Sequence, residues 1–211
     1  MAYYPVLLDW EAKRCLVAGG GNVALHKAEL LCSSGADVTV VAPVICDGIR
    51  KLPVKIIERN VAADDVKGCF FVVDATGNAE AEQLLSSCCR EEGIPFNSAS
   101  RVDDGTAMFP AVIRKGRTVV AVSTVGASPA ASVRIRDSLA QHVPDDLDDI
   151  LDMMSQLRPL SRKHLYSQEN RKKFLHGCLD IMLRKKRTLA EEEIAELLQG
   201  FINKEKEGID Q

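Results

Sequence analysis

The stretch that most constrains this chain is Cys15-Leu16-Val17-Ala18-Gly19-Gly20-Gly21-Asn22-Val23-Ala24. There a short apolar run stops at three glycines, and an apolar-periodic segment follows through Ala28, Leu30 and Leu31. That order reads as strand, tight turn and helix. Gly19 and Gly21 supply the first two glycines of a G-x-G-x-x-G/A fingerprint, and Ala24 takes its third small position. In such a turn the first glycine permits the bend and the second lets a pyrophosphate approach the backbone. The small third residue lets helix and strand pack closely. The helix start then turns free N–H groups and the positive end of its dipole toward the phosphates. The stretch predicts a dinucleotide site, against the plainer reading of a strand–helix turn that holds nothing.

The segments that follow fit the same scheme. Strands are expected over Arg14 to Ala18, Asp37 to Ala42, Val54 to Glu58, Cys69 to Ala75 and Pro95 to Ala99. A helix after the first strand should run to Ser33 or Ser34, and another should cover Ala79 to Glu92. Gly35 stands where a helix C-cap glycine belongs. The unbroken apolar run from Cys69 suits a strand buried on both faces. Alternation at this spacing argues for βαβ units in a doubly wound parallel sheet. A further strand or hairpin is expected at Tyr3 to Leu8.

Past that point the pattern changes. Met108 to Arg114 and Thr118 to Ser123 are apolar strands joined by Lys115-Gly116-Arg117, a hairpin outside the nucleotide unit. Ser128 is a good N-cap and Pro129 a good first helical residue for a helix to about His142. The last third is helical. One apolar face runs through Leu147, Ile150, Leu151, Met154 and Leu157, ending before Pro159. A second runs through Phe174, Leu175, Cys178, Leu179 and Met182. Thr188-Leu189-Ala190-Glu191 reads as a capping box that opens a third helix. The basic run Arg184 to Arg187 suits a helix C-terminus better than a nucleic-acid site. The fold class is thus α/β: a Rossmann-type parallel sheet, then a small α+β region, then an all-helical C-terminal region.

Composition excludes several partners. Apolar residues make up 46% of 211, and the net charge of −3 gives no general attraction to nucleic acid or an anionic membrane. No apolar run reaches a membrane span and the N-terminus lacks a basic-then-apolar signal, so the expected location is cytoplasmic. Seven cysteines without a C-x-x-C pair, Cys88-Cys89 included, read as reduced packing thiols. His26, His142, His164 and His176 have no metal-ligand spacing, and no metal site is expected.

With these elements placed, the sequence resembles the precorrin-2 dehydrogenases of siroheme synthesis, some of which are also sirohydrochlorin ferrochelatases. The likeness covers nearly the whole chain. It rests on Tyr4-Pro5-Val6, on Val17-Ala18-Gly19-Gly20-Gly21-Asn22-Val23-Ala24 with Lys27, and on Val40-Val41-Ala42-Pro43 and Asp74-Ala75-Thr76. It continues in Asn97, Phe109-Pro110-Ala111 and the segment Ala121 to Pro129. The resemblance implies NAD-dependent oxidation of precorrin-2 to sirohydrochlorin by a homodimer built on the region after Phe109. Its active site would lie in the cleft between the nucleotide domain and that region. Residues 1–107 are then the NAD-binding Rossmann domain, 108–143 a dimerisation hairpin and helix, and 144–211 a helical C-terminal domain.

Under that resemblance Asn22 and Val23 would hold the pyrophosphate with the glycine turn. Pro43 and Val44 would flank the adenosine, though Pro43 also simply ends a strand. Thr76 and Gly77 would lie at the carboxyl edge of the sheet, where ligands bind, or form only a turn. The usual acidic residue about twenty positions past the glycines is missing, since Thr39 to Val44 contains no acid. No arginine stands there for a 2′-phosphate either. The many carboxylates of precorrin-2 would meet Arg114, Lys115, Arg117, Arg134 and Arg136, with Ser123, Ser128 and Arg134 as substrate-binding candidates. Each basic residue alone is more simply a solvated surface group.

The family commonly carries an aspartate three residues after the asparagine of the fifth strand. Here that position is Ser100. A serine is a poor base without a partner. Asp103 and Asp104 would substitute from a shifted loop, or form an exposed turn with Gly105. Dehydrogenation survives loss of a base more readily than metal insertion, which must strip pyrrole protons and ligate iron. The expectation is a dehydrogenase with weak or absent ferrochelatase activity. A second reading is a non-catalytic NAD-sensing regulatory module. A third, a NADP reductase of an unrelated small molecule, predicts a basic residue just after the second strand, which is absent.

Overall fold

The computed structural model describes residues 3–101, 104–145 and 147–207. They fall into two compact units, Met1–Phe109 with Val125–Ala127, and Pro110–Thr124 with Ser128–Gln211.

In the first unit five parallel strands stand in the order β3-β2-β1-β4-β5. They are β1 (Arg14–Ala18), β2 (Asp37–Val41), β3 (Lys55–Ile57), β4 (Phe71–Asp74) and β5 (Phe96–Ser98). The order reverses between β1 and β4, where the register sets Ala18 beside Asp74. The side-chain period of two sorts the apolar strands between two covers. Cys15, Val17, Val38, Val40, Phe71 and Val73 pack under helix α1 (Asn22–Ser33) with Ala24, Ala28 and Leu31. Leu16, Ala18, Val41, Val72 and Phe96 pack under helix α3 (Ala79–Glu92) with Leu85 and Cys89. A short helix α2 (Asp47–Arg50) and a 3-10 turn (Ala63–Val66) are too short for sequence periodicity to show. Trp10 meets Phe71 edge-on, Phe109 tilts against Phe71, and the Lys27 ammonium sits 4.4 Å over the Phe109 ring.

The strand or hairpin expected at Tyr3 to Leu8 does not form. Val6 and Leu7 are exposed, and both edges of β1 are taken by β2 and β4. Tyr3 is tied instead by its hydroxyl to the Gly105 carbonyl at 3.2 Å.

The second unit opens with an antiparallel pair, β6 (Ala111–Lys115) and β7 (Thr118–Val122), with Lys115 opposite Thr118 across Gly116 and Arg117. Gly116 takes φ +54°, as the first central position of a twist-matched two-residue hairpin turn requires. Helix α4 (Pro129–Ala140) follows, its Ser128 cap accepting from the Ala131 N–H. Helices α5 (Leu147–His164), α6 (Gln168–Lys185) and α7 (Glu191–Glu207) share a core of Ile150, Leu157, Leu165, Phe174, Cys178, Met182, Leu189 and Leu198.

Two helix ends differ from expectation. Helix α5 runs through Pro159, although proline removes a helical donor at a cost of about 3 kcal/mol. Leu157 and Leu165, on either side of it, are both buried in one core, so packing overrides the local penalty. Helix α7 is not opened by a box at Thr188. Glu193 reaches back to the Ala190 N–H at 2.9 Å, two residues later than Glu191 would allow. It also binds Arg187 and Lys185, and these bonds select the cap.

Candidate functional site

A cavity of about 530 Å³ opens at the carboxyl ends of β1, β2 and β4. Its floor is the glycine turn. Gly19 has φ +122°, and a Cβ there would run into the Ala75 carbonyl at the β1–β4 crossing. A Cβ on Gly20 would strike the Val44 carbonyl, whose loop also sends the Cys46 N–H to the Gly20 oxygen at 2.9 Å. A Cβ on Gly21 would meet nothing within 4 Å. The first two glycines are therefore demanded by neighbouring backbone, and the third keeps an open approach to the start of α1.

That helix start is built to receive an anion. Gly21 caps α1 with no side-chain bond, and the first turn holds no acid. Free N–H groups at an uncapped helix start attract phosphate. Asn22 and Val23 stand exposed in this turn, whereas Ala24 is fully buried against the sheet. Ala24 thus serves the close packing of helix on strand. Pro43 and Val44 line the cavity beyond β2, with Val44 77% exposed. Asn60, Asn78 and Glu80 add polar walls, and among the described residues no lysine or arginine lines the cavity. The Glu80 carboxylate and the lack of a cation suit ribose hydroxyls better than a 2′-phosphate. Open cradle, uncapped helix start and flat apolar wall together fit an unphosphorylated dinucleotide.

The far wall is knitted by side-chain bonds. Asp74, ending β4, is fully buried. Its Oδ1 accepts from the Thr76 N–H at 3.1 Å and hydroxyl at 2.7 Å, and its Oδ2 is buried with no partner among the described residues. Burial pushes the Asp74 carboxyl above its ordinary value. Thr76 pulls it back only in part, and the nearby Glu82 raises it further. The Thr76 oxygen accepts from the Asn78 N–H, and Asn78 caps α3 through the Glu80 and Ala81 N–H groups. Gly77, at φ +66°, makes the bend between them.

Beside this wall lies a group the sequence reading missed. Glu82 of α3 is 4% exposed. Its Oε1 accepts from the Ser98 hydroxyl, and its Oε2 accepts from the Ser100 hydroxyl at 3.1 Å. The Arg101 Nε stands 3.8 Å from the same carboxylate. Ser100 therefore has a carboxylate partner, supplied by a helix instead of a shifted loop. Asp104 holds Arg101 at 3.7 Å and turns its backbone carbonyl to the Ser86 hydroxyl. Asp103 lies outside the described residues. A glutamate within a charged helix sequence carries no periodic mark of burial, so no local signal could single out Glu82. Gly20 and Asn78 did have signals, a third glycine in the turn and an N-cap residue before a helix.

In the second unit, Ser128 is occupied in capping α4, and its N–H and carbonyl both bond the Thr124 hydroxyl. Ser123 and Arg134 are exposed. Of the other basic candidates, Lys115 bonds Asp145, Arg117 bonds Asp148 and Asp152, and Arg136 bonds Asp137. Arg114 is exposed on β6. Val125, which belongs to the first unit, takes φ +52°, a strained value for a β-branched residue. Among the described residues no helix is long and apolar enough to cross a membrane.

A family model described as "Putative NAD(P)-binding" matches residues 6–111. The siroheme synthase of Nitrosomonas eutropha is 33% identical over 184 residues, which cover 85% of this chain and 39% of that protein. The chain thus spans well under half of that relative. The precorrin-2 dehydrogenase of Methanosarcina barkeri is 29% identical and covers 84% of this chain and 83% of its own. That of Priestia megaterium is 28% identical, over 86% and 91%. The solved structure of SirC, precorrin-2 dehydrogenase, superposes with a TM-score of 0.68 at 26% identity, over 94% of this chain and 98% of that one. Parallel sheet, glycine cradle and these relatives agree: the chain belongs to the NAD(P)-binding family whose model it matches, in the branch of the precorrin-2 dehydrogenases and siroheme synthases.

Proposed function

We propose that the protein oxidises precorrin-2 to sirohydrochlorin with NAD, as a step of siroheme synthesis. The observation that carries this reading is the open Gly21 position at an uncapped helix start, next to Gly19 and Gly20 in a cavity that no lysine or arginine lines among the described residues. Residues 1–107 would hold the coenzyme. Gly19, Gly21, Asn22 and Val23 would take the pyrophosphate, with Ala24 packing the helix against the sheet. Pro43 and Val44 would flank the adenosine, and Thr76 and Gly77 would bound the nicotinamide half. Bound NAD would supply the acceptor for the two electrons and one hydrogen nucleus that leave a ring carbon. The chain's part is to hold both reactants in place, which is much of such catalysis. Ser123, Ser128 and Arg134 are the candidates for the substrate's carboxylates.

A homodimer and a cytoplasmic site belong to the same reading. Helix α4 exposes Ile135 and Leu139, one turn apart on one face, an apolar pair suited to a second copy. Seven free thiols suit a reducing compartment. Iron insertion is expected to be weak or absent, because Ser100 stands where the resemblance calls for an aspartate. The test is anaerobic incubation with precorrin-2 and NAD, followed by absorbance, then addition of ferrous iron, with Ser100→Asp run beside the wild type. Sirohydrochlorin should form and iron insertion should stay slow until aspartate is restored. Binding of NAD without turnover of precorrin-2 would favour the sensing module instead.

A further inference from the structure

Helix α3 buries one carboxylate whose role in packing is poor. Removing a carboxylate from water costs several kcal/mol unless hydrogen bonds and charge compensate. Among the described residues Glu82 pairs with one cation, Arg101, whose side chain is 62% exposed and stands at 3.8 Å. Its close partners are two hydroxyls, those of Ser98 and Ser100. Ser98 is fixed in turn by the Arg101 N–H, which it accepts at 2.9 Å. It is also buried, so its hydroxyl only anchors the carboxylate. Ser100 differs. It is exposed, and it follows β5 at the carboxyl edge of the sheet.

That edge is where reaction is expected. In a parallel sheet whose order reverses between β1 and β4, a dinucleotide crosses the reversal. One half would lie over β2, beside Pro43 and Val44, and the other would lie past Thr76 at the end of β4, toward its neighbour β5. Ser100 stands two residues past the end of β5, on that side of the reversal. A hydroxyl that donates its proton to a carboxylate turns its lone pairs outward, ready to accept another.

We infer that Ser100 and Glu82 form a proton relay, in which Ser100 Oγ takes the proton released when precorrin-2 is oxidised and passes its own to Glu82 Oε2. The inference rests on the dehydrogenase reading. That oxidation removes two hydrogens from the macrocycle. One leaves with both electrons to NAD. The other leaves as a proton, enters Ser100 Oγ while the old O–H bond breaks toward Glu82, and later returns to water by the same path. Net products are sirohydrochlorin, NADH and one proton, so electrons and atoms balance. Ser100 would touch substrate, and Glu82 would act through it as a positioning and storage group. Among the described residues, the titratable groups that act on Glu82 are Asp74 on β4 and Arg101 after β5, the latter itself held by Asp104.

The test uses the whole chain with Ser100→Ala, Ser100→Thr and Glu82→Gln. Ser100 is exposed, so its variants should fold even if Glu82→Gln does not. Ser100→Ala should lower kcat about 100-fold, the scale of proton-transfer catalysis. KM for precorrin-2 and Kd for NAD should stay within about twofold, and Ser100→Thr should restore kcat. A readout without turnover is the carbon-13 carboxyl resonance of Glu82, assigned through Glu82→Gln or, if that variant does not fold, through Glu82→Asp. It should move when sirohydrochlorin is added to the wild type and stay still in Ser100→Ala. Wild-type kcat in Ser100→Ala, or a resonance indifferent to sirohydrochlorin in a protein that turns over, defeats the relay alone. A wild type that does not oxidise precorrin-2 defeats the dehydrogenase reading and the relay together.

Discussion

The two units bury different things. The sheet unit buries Asp74, Glu82, Asn97 and Ser98, all near the carboxyl ends of β4 and β5. Among its described residues the second unit buries only Ser132 and Ser161 from the polar set, and both hydroxyls bond backbone carbonyls. Its charges pair at the surface, as Lys115 with Asp145 and Arg187 with Glu193. Its core is a plain apolar cluster. A buried polar group without a full set of partners is a standing cost. Concentrating such groups along one strand edge gives the sheet unit a local stability cost beside the proposed site, while the helical core repays chain entropy by packing.

That contrast can be broken by substitution. Phe174→Ala, in the helical core beside Phe201, should destabilise the second unit by about 3–5 kcal/mol in thermal or denaturant unfolding. NAD titration heat should persist below the transition, and its loss would erase the proposed division of labour. Gly20→Ala forces a Cβ into the Val44 carbonyl. It should weaken NAD binding about 100-fold by calorimetry, or about 3 kcal/mol, while the far-ultraviolet helix signal is kept. Tight binding by that variant would remove the glycine turn from the site.

Asp74 gives a pH signature opposite in sign to that of the helical unit's paired carboxylates, such as Glu193, which Arg187 and Lys185 hold below the ordinary value. Burial raises the folded-state Asp74 carboxyl above the unfolded one. Its contribution is therefore complete below the unfolded carboxylate range and is lost as pH rises through the folded value. Asp74→Asn should gain on wild type in melting temperature as pH climbs from about 4 to 8, while Ser161→Ala should keep a constant offset. A constant offset for both would show that the Asp74 carboxyl is not perturbed. The smallest effect is Ser128→Ala, which removes the α4 cap bond at about 1 kcal/mol. Any loss of precorrin-2 turnover larger than that stability change predicts would assign Ser128 to the substrate as well as to the helix.

Sequence alone determined the strand–glycine–helix opening, the alternation of strands and helices, the hairpin, and the Ser128-Pro129 start of the helix after it. These are local: period, cap and turn chemistry act over a few neighbouring residues. Tertiary structure decided the rest. It denied Tyr3 to Leu8 a strand by occupying both edges of β1, and it carried α5 through Pro159 by burying apolar residues on either side. It also joined Ser98 and Ser100 to Glu82 across 16 and 18 residues of chain. Such a bond depends on which face of α3 meets β5, and that is settled only when the whole sheet has closed over its core.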